Sequence, residues 1–230
     1  MSLARSTRLH KPVRLGPLRL TPFQIGVHLA ALGPLLLLVS DLLGGRLSVN
    51  PIQDLTFRTG KTAMVLLLLS LACTPVATWL GFRPALKVRR ALGLYAFAYA
   101  ALHFFIYLGV DYGFDLQLVG LELAEKRYVL VGFAAFLLLV PLAVTSTQGW
   151  QRRLGRRWKR LHKAVYPAAV LVMCHYIWVQ KADIRQPLAF SAVLLLLFIL
   201  RLPALRRWAA AHPFRSWRRR EARTPLRKEP

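Results

Sequence analysis

Apolar residues in this chain gather into six long runs, at roughly 22–43, 61–80, 90–109, 128–146, 161–180 and 187–203. A bilayer core of about 30 Å takes about 20 apolar residues in a helix, so each run reads as one spanning helix. Pro34, Pro75, Pro141 and Pro167 fall inside runs and predict kinks, which spans tolerate. The polar stretches between runs are too short for a soluble domain, and no internal repeat stands out. The pattern therefore predicts an all-α integral membrane protein: a six-transmembrane-helix bundle over 22–203, flanked by segments 1–21 and 204–230. The first run is longer than the roughly 7–15 apolar residues of a cleavable signal, so it is read as a retained span.

Charge sharpens this picture. The chain of 230 residues is 56% hydrophobic, yet carries 33 Lys and Arg against 9 Asp and Glu. Such extremes coexist when charge is confined to loops and tails. Segments 1–21, 81–90, 147–163 and 201–230 hold five, four, seven and ten basic residues, and with six spans all four lie on one side. The other side has four of the nine acids in the loop 109–127: Asp111, Asp115, Glu122 and Glu125. The excess of Lys and Arg assigns both termini to the cytoplasm. The basic tail, with Trp208 and Trp217, suits either anionic membrane lipids or a solvated state. A nucleic-acid partner is rejected, because no basic face survives within the apolar runs and no recognition motif is present. Cys73 and Cys174 are isolated in apolar runs and make neither a disulfide framework nor a metal pair.

Depth sorts the six histidines. His10 and His212 lie in the tails, whereas His28, His103, His162 and His175 lie within or at the edge of runs. Ionisable groups in hydrocarbon are costly and mark functional sites. His103 follows Arg90 by 13 residues and His175 follows Lys163 by 12, placing both about 18–19 Å along their helices. Two histidines at one level on different helices can offer neutral imidazole nitrogens to both faces of a haem iron. His28 and His162 share a level near the basic side and suit a second haem, a flavin or a quinone. On a straight helix, though, His162 points about 140° away from His175. The competing readings are hydrogen bonding between helices and a proton pathway, the latter opposed by the lack of intramembrane acids other than Asp41.

Other features are less specific. Tyr95, Phe97, Tyr99, Phe104, Phe105 and Tyr107 on the third run suit the faces of a macrocycle or an ordinary core. Arg58, Lys61, Lys181 and Arg185 flank the outer mouth, as partners for haem propionates or as interfacial anchors. No zinc motif, P-loop, G-x-G-x-x-G or nucleophile elbow occurs.

The blocks DLTFRTGKTAMVLLL (54–68), RRALGLYAFAYAALHFFIY (89–107), TSTQ (145–148), LGRRWKRLHKAVYP (154–167) and HYIWVQKADIRQP (175–187) resemble the MsrQ family, from about residue 22 to 203. These are haem-binding membrane subunits of bacterial methionine-sulfoxide reductase systems. The resemblance implies a ferric-reductase-like domain in the inner membrane with haem b, one or two per chain, and FMN as a further cofactor. It implies His103, His162 and His175 as haem-linked residues and His28 as the first-span histidine. It further implies electrons drawn from the quinone pool or a cytoplasmic flavin reductase. They would pass to a periplasmic molybdopterin subunit, MsrP, which carries the catalytic reduction. Two alternatives are a stand-alone ferric-reductase-like oxidoreductase and a non-redox transporter or assembly protein.

Overall fold

A computed structural model describes residues 13–15, 18–180, 183–205 and 207. The expectations for the basic tail, for Lys181 and for most of segment 1–21 lie outside the described residues. The chain enters on an antiparallel ribbon, β1 (Val13–Leu15) and β2 (Leu18–Leu20), with Val13 opposite Leu20. Every later element named here is helical.

Helix α1 (Pro22–Leu43) starts where Thr21 and Gln24 form a reciprocal capping box and Pro22 takes the first helical position. Helix α2 (Pro51–Trp79) is capped by the Asn50 side chain and begins ten residues before the apolar run at 61. Its first turns are polar but still helical, stapled by Arg58 Nε donating to Asp54 Oδ1 one turn away, at 2.9 Å. Hydropathy sees only the part that suits lipid. Helix α3 (Pro84–Phe105) widens into a π-helical stretch, Ile106–Asp111.

The acidic segment 109–127, read as a loop, contains helix α4 (Leu116–Glu125), started by Asp115 accepting from the Gln117 and Leu118 amides. Helix α5 (Arg127–Val144) follows. Two short basic helices, α6 (Gln148–Leu154) and α7 (Arg156–Leu161), meet at Gly155, whose φ of 48° suits glycine. A 3₁₀ turn, His162–Ala164, then leads into α8 (Val165–Val179). Pro167, where the sequence predicts a kink, stands in the first turn of α8 and cannot donate to the Lys163 carbonyl. Helix α9 (Arg185–Ile199) closes the bundle.

Helices α1, α2, α3 with its π-helical extension, and α5 are long and apolar enough to cross a membrane. Helices α8 and α9, of 15 residues each, occupy the fifth and sixth apolar runs. The tightest packing is within two hairpins, α2 with α3 and α5 with α8. Small side chains let the backbones approach: Ala63, Ala96, Ala168 and Ala169 are all buried. Leu29, Leu36, Leu37, Leu195 and Leu196 point outward, as a lipid-facing surface requires.

Helix α1 is tied to α3 by two tyrosines one turn apart. Tyr95 Oη lies 2.9 Å from His28 Nδ1. Tyr99 Oη donates to the Ala31 carbonyl at 2.8 Å and accepts from the Leu35 amide at 3.0 Å. Those two backbone groups would otherwise bond to each other, so the phenol is inserted into the ladder of α1 beside Pro34.

Candidate functional site

The two histidines matched by depth meet. The His103 ring on α3 and the His175 ring on α8 have centroids 6.2 Å apart and planes 79° apart. Each ring is fixed from behind. His103 Nδ1 lies 2.9 Å from the Thr56 carbonyl on α2, and His175 Nδ1 lies 2.7 Å from the Tyr128 carbonyl on α5. A carbonyl only accepts, so each Nδ1 carries the proton and each Nε2 keeps a free lone pair.

A glycine makes room for each ring. A Cβ on Gly60 of α2 would stand 2.9 Å from His103 Nδ1, and one on Gly132 of α5 would stand 2.7 Å from His175 Nδ1. Carbonyl, glycine and histidine therefore recur as Thr56, Gly60, His103 and again as Tyr128, Gly132, His175, 72 residues on in every case. The two hairpins present the same construction to one point from two sides. Sequence reading found no repeat and missed both glycines. The spacing from glycine to histidine, identical in the two halves, was the available signal.

This donor set fits a haem iron. Two metal–imidazole bonds of about 2 Å, plus the distance from nitrogen to ring centre on each side, account for the 6.2 Å separation. Among the described residues no group of three or more His, Cys, Asp or Glu side chains is placed to hold a metal. A metal between these two imidazoles thus takes its other ligands from elsewhere, as a porphyrin supplies them. Phenylalanines join α3 to α5: Phe104 stacks on Phe133 and Phe136 at 5.7 and 4.9 Å, and Phe97 on Phe136 at 5.8 Å. Of the aromatics on the third run, Phe97 and Phe104 thus face α5, whereas Tyr95 and Tyr99 serve α1.

His28 and His162 have other company. His28 meets Tyr95, and His162 Nε2 lies 3.1 Å from Thr145 Oγ1, with the Trp158 ring tilted against it at 4.0 Å. Thr145 Oγ1 donates to the Pro141 carbonyl at 2.6 Å, so His162 Nε2 is the donor to Thr145. At the opposite end of the bundle, Arg58 is held by Asp41 at 2.7 Å and Asp54 at 2.9 Å, and Lys61 Nζ donates to Gln186. The Arg185 amide caps onto Asp183. On the α4 side, the Glu122 carboxylate, 2.6 Å from Lys126 Nζ, holds that ammonium above the usual lysine range. Burial first, and then the Glu122 charge, raise Tyr112.

Comparison with known proteins gives the chain's family. Residues 59–173 match the family described as ferric reductase like transmembrane component, a span that runs from Thr59 to Met173 and includes His103 and His162. A Rhodospirillum rubrum protein named protein-methionine-sulfoxide reductase heme-binding subunit MsrQ is 46% identical over 186 residues, covering 80% of this chain and 89% of the relative. Proteins of the same name from Xanthomonas axonopodis pv. citri and Xanthomonas oryzae pv. oryzae are 44% and 43% identical over 182 residues, covering 74% of this chain and 81% of each relative.

Proposed function

The chain belongs to the MsrQ family of haem-binding subunits, within the ferric-reductase-like membrane proteins, and on that premise we propose that it is the electron-transfer membrane subunit of a methionine-sulfoxide reductase system. The observation that carries the proposal is the pair of neighbouring imidazoles on two helices, ring centres 6.2 Å apart, each with Nδ1 bound to a carbonyl and Nε2 left free. Haem b bound there supplies one-electron oxidation and reduction of its iron.

The chain's own residues do the rest. His103 and His175 would hold the iron, and the Thr56 and Tyr128 carbonyls fix their tautomers and would raise their basicity as ligands. Gly60 and Gly132 let α2 and α5 come close enough to make those bonds. The phenylalanines of α3 and α5 keep the site dry. His162 and His28, at the basic end, are the residues to which a second haem or FMN is assigned, and haem-to-protein stoichiometry decides between one and two.

In this reading 22–203 is one six-span domain in the bacterial inner membrane, with both termini cytoplasmic. Electrons come from the quinone pool or a cytoplasmic flavin reductase and go to a periplasmic molybdopterin subunit, MsrP, where methionine sulfoxide in damaged proteins is reduced. The test is co-purification and electron transfer: reduced protein should be re-oxidised by MsrP with its substrate. Re-oxidation by ferric iron alone, with no response to MsrP, would instead favour the stand-alone reductase.

A further inference from the structure

Three buried side-chain atoms among the described residues lack a hydrogen-bond partner: Tyr107 Oη, Glu122 Oε2 and Arg201 Nε. Glu122 Oε2 is ion-paired with Lys126. The Arg201 guanidinium is otherwise held by Tyr166 Oη and the Leu71 carbonyl. Tyr107 Oη makes no well-formed hydrogen bond, with the Tyr112 hydroxyl and the Glu122–Lys126 pair as its polar neighbours, and buried polar groups in native structures almost always find a partner.

Its position says what is missing. Tyr107 follows His103 by four residues, one helical turn further toward the acidic end on the same face of α3. It stands in the π-helical stretch Ile106–Asp111, a distortion that recurs at functional sites. The ring is fixed by Tyr112, 4.8 Å away, and the turn beyond is locked by the Phe114 amide donating to the Leu108 carbonyl at 2.8 Å. A haem between His103 and His175 brings two carboxylates, which favour the water-facing side of the bilayer over its centre. Of the four basic groups that the sequence offered for them, Arg58 is held by two aspartates and Lys61 by Gln186.

We propose that the Tyr107 hydroxyl donates a hydrogen bond to a carboxylate of the bound haem, making it a cofactor-binding residue that sets the rotation of the macrocycle about the iron axis. A phenol donating to an ionised carboxylate makes a strong, charge-assisted bond in a dry site. The inference rests on the haem reading above.

The test uses the full chain in lipid nanodiscs, stripped of cofactor and reloaded with haem b or with its dimethyl ester, in which both carboxylates are blocked. Haem loss to an excess of apomyoglobin is followed by absorbance. In the unsubstituted chain the ester should leave about tenfold faster than haem b. That comparison needs no variant. Tyr107→Phe should speed the loss of haem b by a similar factor and leave the loss of the ester unchanged. Equal loss of haem b and ester from the unsubstituted chain overturns the proposal, and so do multiplying effects of ester and substitution. An unsubstituted chain that takes up no haem at all would instead defeat the haem reading itself.

Discussion

Each imidazole of the central pair is held by features with no chemistry of their own, a backbone carbonyl and the bare Cα of a glycine. A methyl group at Gly60 or Gly132 would stand 2.9 or 2.7 Å from an Nδ1 atom, closer than a side chain tolerates. The imidazole must then move off its carbonyl. Gly60→Ala and Gly132→Ala are each expected to weaken haem binding by about 10–100-fold, the usual consequence of disturbing an outer-shell partner. Haem titration of the stripped protein measures this, and unchanged affinity in both would count against the cradle. The histidines themselves were legible in the sequence, because type and depth are both written there. The Thr56 and Tyr128 contributions were not, because a carbonyl is common to every residue and leaves no mark in side-chain identity. Gly60 and Gly132 were hidden for a related reason: glycine in a span more often reads as simple close packing.

At the scale of elements, α1 depends on α3 through hydroxyls rather than apolar contact alone. Tyr99→Phe removes a bridge between the Ala31 carbonyl and the Leu35 amide beside Pro34. α1 must then either reshape to close that bond itself or leave both groups unpaired, so a stability loss of about 1–3 kcal/mol is expected, read from thermal unfolding in detergent. The bis-histidine spectrum should persist, since α1 supplies neither ligand. Loss of the spectrum with unchanged stability would reverse that assignment. Sequence reading placed the six apolar runs but drew α2 ten residues short and read α4 as loop. Both errors share a cause. Hydropathy reports where a helix suits lipid, whereas Asn50 and Asp115 caps and the Asp54–Arg58 pair report where a helix can start in water. The caps were visible in the sequence but carried no weight in a search for spans.

At the scale of the molecule, two hairpins with the same internal design converge on one point, and the charges sort to the two ends of the bundle. With Lys and Arg concentrated in 81–90 and 147–163, a reporter that is active only in the cytoplasm should work when fused after residue 203 and fail when fused within 112–125. The opposite pattern would invert the orientation and move the electron exit to the other face. The most direct test of the central claim is the low-spin haem signal, by visible and electron paramagnetic resonance spectroscopy, of protein purified from haem-replete cells. The account predicts a six-coordinate, low-spin b-type haem in the unsubstituted chain, lost from the His103–His175 site in both His103→Ala and His175→Ala. Wild-type haem content and spectrum in both variants would contradict it.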